Sequence, residues 1–230
     1  TAESVTSAAT SAVANVNDAP TGSVTISGTA TEDEVLTAAN TIADEDVLGS
    51  ISYQWKRAGT AISGATSSTY TLTQADVGSA ITVTASYTDG QGTAESVTSA
   101  ATSAVANVND PLTGTVTISG TATEDQVLTA ANTLADEDVL GTISYQWKRT
   151  GTAISGATSS TYTLTQADVG YVITVTASYT DGQGTAESVT SAATSAVVNV
   201  NDAPTGSVII YGTAQEDQIL TAVNDLADED

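Results

Sequence analysis

The chain has 230 residues, of which 27 are acidic and only four are basic, so its formal net charge at pH 7 is −23. A surface this negative repels nucleic acid and anionic membranes and favours cations. The sequence contains no cysteine and no histidine, which excludes disulfides, thiolate sites and the commonest general base. No apolar run approaches the roughly 20 residues needed to cross a bilayer.

A long internal repeat organises the chain. Residues 1–92 and 93–184 differ at only nine positions, and a third copy begins at 185. A unit of this length is too long for one solenoid turn and matches a small domain. Because residue 1 falls within a repeat, the chain is expected to be a segment of a longer protein. The predicted parts are a last strand and linker of a preceding repeat (1–18), two complete domains (19–110 and 111–202) and the first part of a following repeat (203–230).

In the first complete unit, alternation of apolar and polar residues predicts a series of short strands. In chain order they are expected at 23–27, 34–38, 52–57, 68–73 and 80–90, with a final Ala/Ser/Thr/Val stretch at 95–108. The last stretch is predicted as a strand because Ser, Thr and Val are frequent and the apolar residues lack helical spacing. About seven short strands separated by glycine-containing turns predict an all-β fold of tandem β-sandwiches in an elongated array.

The clearest of these strands is 80–90, where Ile81, Val83, Ala85 and Tyr87 should face the core. The unit has few large apolar side chains, with one tryptophan and neither phenylalanine nor methionine. Burial alone could leave so small a domain only marginally stable. Since disulfides and zinc-thiolate sites are excluded, another stabilising element is expected.

Two motifs of the repeat resemble known families. The stretch "SYQWKR" (52–57), followed by "YTLTQADVGSAITVTASYTDGQGT" (70–93), resembles the immunoglobulin-like extender repeats of giant bacterial RTX-type adhesins secreted by the type I route. This resemblance implies an immunoglobulin-like sandwich with Trp55 and Trp147 in the core, without the cysteines of antibody domains. It also implies an extracellular place on the bacterial cell surface and a role in cell adhesion and biofilm. The linker "NVNDAP" (15–20) resembles the calcium-binding linkers of cadherins and cadherin-like bacterial repeats.

The acidic residues concentrate in a few short segments of each repeat. These are "TEDE" (31–34), "ADEDVLG" (43–49), "TDG" (88–90) and the linker "NVND" (107–110). In an immunoglobulin order, the first loop lies where the chain leaves the domain and the next two lie where it enters. The linker would therefore join two acidic ends that repel each other. Ca²⁺ takes about 6–8 oxygen ligands of this kind, whereas Mg²⁺ prefers a tighter octahedral cage.

The sequence thus predicts a calcium site at each linker. For the central linker the expected ligands are Glu32, Asp33, Asn107, Asn109, Asp110, Asp136, Asp138 and Asp181. For the first linker they are Asn15, Asn17, Asp18, Asp44, Asp46 and Asp89, and this site is expected to be weaker because it lacks a preceding domain. For the third linker they are Glu124, Asp125, Asn199, Asn201, Asp202, Asp228 and Asp230. Glu95 and Glu187 are interpreted as solvated residues of a strand edge.

The predicted function is mechanical. The chain is expected to be a monomeric stalk whose partners are neighbouring repeats and Ca²⁺, and which projects a distal binding module from the cell. The alternative is a carbohydrate- or partner-binding module, with an exposed aromatic or a threonine-rich face as its ligand surface. Trp55 and Trp147 could serve as stacking platforms but are more readily explained as core residues. An enzyme is not expected, because the acidic residues recur in near-identical copies at domain ends, where a small sandwich offers no deep pocket.

Overall fold

Sixteen β-strands and two short 3₁₀ turns make up the regular structure of residues 1–228, which the computed structural model describes. The predicted all-β fold of tandem sandwiches is confirmed. The chain divides into two units, Thr1–Val108 and Asn109–Asp230. Among the described residues, none of the helical segments has the length and hydropathy of a membrane-spanning helix.

The first unit contains seven strands in two antiparallel sheets. Strands β4, β3, β6 and β7 form one sheet in that order, and β1, β2 and β5 form the other. The buried residues of both sheets belong to one core cluster, as expected for a sandwich. The strands are β1 (Val24–Ser27), β2 (Val35–Asn40), β3 (Ser52–Arg57), β4 (Thr60–Ala61), β5 (Thr69–Thr71), β6 (Ile81–Thr88) and β7 (Ala94–Thr98).

The second unit repeats this arrangement, with sheet orders β11–β10–β13–β14 and β12–β9–β8. Its C-terminal part adds a two-stranded hairpin, β15–β16, whose residues are all exposed. The strands are β8 (Val116–Ser119), β9 (Val127–Asn132), β10 (Ser144–Arg149), β11 (Thr152–Ala153), β12 (Thr161–Thr163), β13 (Ile173–Thr180), β14 (Ala186–Thr190), β15 (Val208–Tyr211) and β16 (Thr221–Asn224).

The core of the first unit is built around β3 and β6. The predicted inward residues of β6 are confirmed, since Ile81, Val83 and Ala85 are fully buried and Tyr87 is 5% exposed. Trp55 of β3 is also fully buried, and its Nε1 donates a hydrogen bond to the Ser67 carbonyl oxygen at 2.9 Å. A side chain without exposed surface cannot stack on a ligand. The tryptophan is therefore a core residue, and its role as a stacking platform is excluded.

The stretch 95–108 is not the single long strand that the sequence predicts. Strand β7 ends at Thr98, and the chain regains bridge pairing only at 104–106, where Ala104 pairs with Ala80 and Val105 with Val77. Hydroxyl groups explain the interruption. Ser99 Oγ accepts a hydrogen bond from Val83 N, and Thr102 Oγ1 accepts one from Ile81 N. These side chains satisfy β6 where a regular ladder would use the backbone alone.

A buried carboxylate stabilises the corner between β5 and β6. Asp76 is fully buried at the end of the 3₁₀ turn Gln74–Asp76, and its Oδ1 accepts a 2.7 Å hydrogen bond from Arg57 Nε. Its Oδ2 accepts hydrogen bonds from Tyr70 Oη, Thr73 N and Thr73 Oγ1. Burial alone would raise the pKa of Asp76, but these donors outweigh burial and hold the pKa below its ordinary value.

This corner predicts an acid-labile contribution to stability. The folded-state pKa of Asp76 is depressed, so its contribution is present above about pH 4 and is lost as pH falls through the folded pKa. Asp76→Asn should lower the free energy of unfolding of the first unit by about 3 kcal/mol at pH 7, since it leaves Arg57 and Tyr70 without an ionised acceptor. The variant should also make the free energy of unfolding of the first unit less dependent on pH below about 4.

Amide hydrogen exchange measured separately in the two units tests this expectation. The second unit retains the equivalent pair, Arg149 and Asp168 at 2.7 Å, and serves as the internal control. Equal exchange rates in the two units of Asp76→Asn at pH 7 would contradict a stabilising role.

Candidate metal site

The loop 43–49 follows β2 and carries two aspartates that bind nearby donors. Asp46 N donates a hydrogen bond to Asp44 Oδ1 at 2.8 Å, which forms a local turn. The Tyr87 hydroxyl donates to Asp44 Oδ2 at 2.5 Å. Val47 follows with a φ of 72°, in the left-handed region that β-branched residues rarely adopt. Asp46 is only 6% exposed, so its carboxylate lies within the loop.

The β6–β7 loop contributes a third carboxylate to the same end of the unit. Asp89 Oδ1 accepts hydrogen bonds from Gln91 N at 2.9 Å and from Thr93 N at 2.7 Å. Gly90 N donates to the Asp46 carbonyl oxygen at 2.9 Å and thereby joins the two loops. Asp89 is 6% exposed, and its Oδ2 is buried without a hydrogen-bond partner. Because burial of an unsatisfied carboxylate oxygen is costly, this atom has the environment of a cation ligand.

In the first unit, two residues of the linker bind the acidic loop 43–49 and strand β7. Asp18 N donates a hydrogen bond to Asp46 Oδ2 at 2.9 Å. Asn17 Nδ2 donates to Glu95 Oε1 at 2.9 Å, while Asn15 is exposed. The predicted ligands that the structure brings to this end of the unit are Asn17, Asp18, Asp44, Asp46 and Asp89.

The second unit repeats the linker contact at its own 136–138 loop. Asp110 N donates a hydrogen bond to Asp138 Oδ2 at 2.9 Å, and Asp138 N donates to Asp136 Oδ1 at 2.9 Å. Asp138 is fully buried. Asn109 Nδ2 donates to Glu187 Oε1 at 3.2 Å, as Asn17 does to Glu95 in the first unit.

Asp181 of the β13–β14 loop is the counterpart of Asp89 in the second unit. Its Oδ1 accepts hydrogen bonds from Gln183 N at 2.9 Å and from Thr185 N at 2.8 Å. Gly182 N donates to the Asp138 carbonyl oxygen at 2.8 Å, so the two loops are again joined. Asp181 is 6% exposed, and its Oδ2 is buried without a hydrogen-bond partner. The same unsatisfied oxygen therefore occurs at the same place in both units.

At the other end of the first unit, the 31–34 loop binds the start of the next linker. Glu32 is 2% exposed, and its Oε2 accepts a hydrogen bond from Val108 N at 3.2 Å. The Asn107 Oδ1 atom is buried without a hydrogen-bond partner. Asp33 is exposed and has a φ of 62°, so it does not share the buried position of Glu32.

The corresponding loop of the second unit behaves alike. Glu124 is 3% exposed and its Oε2 accepts a hydrogen bond from Val200 N at 3.1 Å, whereas Asp125 is exposed.

The remaining predicted ligands belong to the third linker. Asn199, Asn201 and Asp228 are exposed, Asp202 is half-buried, and Asp230 lies outside the described residues.

Hydrogen bonds from the backbone keep the two loop aspartates ionised. Burial would raise the pKa of Asp89, but the amides of Thr93 and Gln91 outweigh burial and hold the pKa below its ordinary value. The same balance lowers the pKa of Asp181. Burial, together with the hydrogen bond to Asp44, raises the pKa of Tyr87, so its hydroxyl stays protonated and can donate. Asp89 and Asp181 therefore keep their negative charge at neutral pH.

The donor atoms of each site indicate the kind of cation that it can hold. Every candidate ligand supplies a carboxylate or amide oxygen, and the acidic loops contain neither lysine nor arginine. Oxygen donors at several loop positions suit a hard cation with a flexible shell such as Ca²⁺, and do not suit softer transition metals. In the second unit, carboxylate oxygens of Asp110 and Asp138 lie within 4.8 Å of each other, so these two residues are the pair that could hold an ion.

Sequence reasoning missed two residues per unit. Tyr87 binds Asp44, and Glu95, interpreted as a solvated edge residue, is half-buried and binds Asn17. Tyr87 and Glu95 are also cross-strand neighbours in β6 and β7. The signal was present in the alternation of "AESVT", which places Glu95 on the same side as Val97. The second unit uses Tyr179 and Glu187 in the same way.

Comparison with known proteins gives matches among solved structures alone. No protein-family model matches the chain, and no curated protein sequence matches it. A tetra-tandem repeat from the extending region of a large adhesion protein is 18% identical, with a TM-score of 0.31 over 92% of this chain and 64% of that one. A Ca²⁺-stabilized adhesin that helps an Antarctic bacterium reach out and bind ice is 14% identical, with a TM-score of 0.31 over 88% of this chain and 54% of that one.

A third similar structure comprises three N-terminal domains of the Highly Immunogenic Outer Capsid protein of bacteriophage RB49. It is 16% identical, with a TM-score of 0.28 over 90% of this chain and 70% of that one. The first two are adhesins, the class that the repeat sequence resembles, and the chain spans less than two thirds of the length of either.

Val47 provides a test of strain in the acidic loop. Its side chain is 68% exposed and its φ is 72°, so little packing offsets the backbone cost. Val47→Asn should raise the free energy of unfolding of the first unit by about 1 kcal/mol, because asparagine tolerates the left-handed region. Thermal unfolding should then shift upward by about 4–8 °C. Val35→Asn, on an exposed strand position, is the control and should give no gain; a loss of stability in Val47→Asn would contradict the strain argument.

Proposed function

We propose that this chain is a structural extender segment of a bacterial surface adhesin, stiffened by Ca²⁺ bound where each linker meets the acidic loops. Each repeat is then one domain of a stalk, divided as 19–110 and 111–202, and the stalk projects a distal binding module from the cell. The observation that carries the proposal is the buried, unsatisfied carboxylate oxygen of Asp89 and Asp181, each in a loop whose backbone is hydrogen-bonded to the loop that binds the linker.

Support for cation binding comes first from the geometry within one unit. Asp138 is fully buried and uses one oxygen to hold the linker amide of Asp110. Asp181 joins the same loop through Gly182 and keeps one buried oxygen without a donor. Since no basic side chain occurs in these loops, a divalent cation is the simplest partner that would offset the repulsion between the carboxylates.

The linker sequence supports a role for the cation in joining domains. Val108 N is bound by Glu32 in the first unit, and Asp110 N is bound by Asp138 in the second unit. These two amides are separated by one residue of sequence. Each of these two amides of the short linker segment is thus held by a carboxylate of its own unit. A cation held there would restrict the segment, whereas without the cation the charges of these carboxylates would oppose its ordering.

The proposed extracellular location agrees with where calcium is available. Extracellular modules bind Ca²⁺ with Kd values on the order of 10⁻⁴–10⁻³ M, so such sites would be empty in the cytosol and filled outside the cell. The chain would therefore remain flexible before export and stiffen afterwards. The strong negative charge adds solubility and discourages association of near-identical repeats, which fits a monomeric stalk.

If the second unit binds Ca²⁺, removing the charge of a buried carboxylate should lower the Ca²⁺ affinity more than removing the charge of an exposed one. Asp138→Asn preserves the shape of the side chain but removes a buried negative charge, so Ca²⁺ affinity at the second unit should fall at least about tenfold, or about 1.4 kcal/mol. Glu137→Gln removes the same charge from an exposed neighbour in the same loop and should change affinity little. Isothermal titration calorimetry of the 230-residue chain with CaCl₂ measures both variants.

Two further measurements extend this test. Asp181→Asn should weaken binding as Asp138→Asn does, because it replaces the unsatisfied oxygen. In the unmodified chain, free Ca²⁺ at about 100 times Kd should add about 2.7 kcal/mol to stability, with a smaller effect of Mg²⁺. Equal losses of affinity in Asp138→Asn and Glu137→Gln would show that only diffuse charge attracts the ion.

Stiffening is a separate prediction. Small-angle scattering of the whole chain should show a narrower distribution of distances in CaCl₂ than in chelator, because ordered linkers restrict the movement of the domains. Asp138→Asn should shift the calcium data towards the chelator data. If Ca²⁺ binds and raises the melting temperature while scattering stays unchanged, the ion stabilises single domains and the proposed role in the linkers is wrong.

A further inference from the structure

Some of the differences between the two repeats lie together in the fold. Three of the nine substituted positions exchange Ala58 for Thr150, Ser79 for Tyr171 and Ala80 for Val172. These positions are neighbours in the fold, because Thr150 N donates a hydrogen bond to the Val172 carbonyl oxygen at 3.0 Å. The equivalent bond, from Ala58 N to the Ala80 carbonyl oxygen, is also 3.0 Å. The backbone is therefore shared by the two units, and the side chains alone differ.

Tyr171 is the largest of these changes and presents an aromatic ring to solvent. Its amide donates a hydrogen bond to the Asp168 carbonyl oxygen at 3.0 Å, and its carbonyl oxygen accepts one from Val197 N at 2.9 Å. The backbone is thus fixed on both sides, yet the residue is 50% exposed. Ser79 makes the equivalent backbone bonds in the first unit. The ring adds nothing that the fold requires.

The exposed ring lines a cleft of about 380 Å³ beside the β10–β11 hairpin, named here the Tyr171 cleft. The lining combines one aromatic ring, one guanidinium group, hydroxyl groups and an aliphatic side chain. The residues that supply these groups are Tyr171, Arg149, Thr150, Thr152, Ser155 and Ile154.

The charges of the cleft restrict the ligand. Nε and Nη2 of Arg149 bind Asp168 Oδ1, so the positive charge is already balanced by a fully buried carboxylate. The Arg149 side chain is nevertheless 30% exposed and lines the cleft, where its N–H groups can donate hydrogen bonds. No acidic residue lines the cleft, so it offers nothing to a cation. An anion would in addition meet the strong negative charge of the protein.

We propose that the Tyr171 cleft of the second unit binds a neutral sugar ring. Tyrosine offers rigid, amphipathic contact area at a low cost in conformational entropy, which suits the apolar C–H face of a pyranose. The hydroxyl groups of Thr150, Thr152 and Ser155 can donate to and accept from sugar hydroxyls, and Arg149 can donate. One small open subsite implies affinity in the millimolar range. The activity is separate from the stalk function and does not depend on Ca²⁺.

The first unit supplies a matched control for this proposal. Tyr171→Ser installs the residue that the first unit already carries on the same backbone, so the variant should fold. The converse change, Ser79→Tyr combined with Ala58→Thr and Ala80→Val, should build a second cleft in the first unit. The probes are methyl α-mannopyranoside, methyl β-galactopyranoside and methyl β-glucopyranoside, with N-acetylneuraminic acid as the anionic comparison.

Saturation-transfer NMR and amide shift mapping on the whole chain measure the outcome. At least one neutral glycoside should bind, with shifts confined to residues 149–155 and 171–172 and unchanged by chelator. Tyr171→Ser should abolish this binding, and the triple variant should add shifts at the matching residues of the first unit. The proposal is overturned by absence of binding of all three neutral glycosides at about 50 mM, a concentration that would nearly fill a site with a Kd of about 1 mM. It is also overturned by binding that survives Tyr171→Ser, or by preference for N-acetylneuraminic acid.

Discussion

The hydrogen bond from a linker amide to a buried aspartate is the contact on which the site depends. Asp46 accepts it from Asp18 N and Asp138 accepts it from Asp110 N, both at 2.9 Å. Each of these aspartates thereby connects the linker to the acidic loop. The backbone amide of the same aspartate donates to a second aspartate two residues earlier in the loop. Burial makes this arrangement demanding, since a buried carboxylate must keep its hydrogen-bond donors. The proposed cation site rests on these contacts.

The same sandwich is built twice with almost the same side chains, so its stabilising elements are repeated too. Trp55 and Trp147 are both fully buried, and each unit has one arginine paired with a fully buried aspartate. Against this constant background, the cluster of differences around Tyr171 is informative, because neither the core nor the linker contacts require those changes.

Much of the fold could be predicted from alternation alone. Ile81, Val83 and Ala85 are buried as expected, because a strand with one buried and one solvent-exposed face must alternate apolar and polar residues. The final stretch could not be predicted, since Ser99 and Thr102 bind the β6 backbone and interrupt the ladder. For the candidate site, the acidic loops were found by their recurrence. The contribution of Glu95 was missed, because its contact with Asn17 joins residues 78 positions apart.

The sequence by itself determined the repeat, the all-β class, the acidic segments and the exclusion of thiolate and histidine chemistry, because these follow from composition and short-range periodicity. The tertiary structure alone decided which carboxylates are buried, which backbone amides they accept and where Tyr171 is exposed. The physical reason is that burial and hydrogen bonding depend on neighbours brought together by the sheets. Asp46 and Glu45 are adjacent acids in one motif, yet the first is buried and binds the linker while the second is exposed to water.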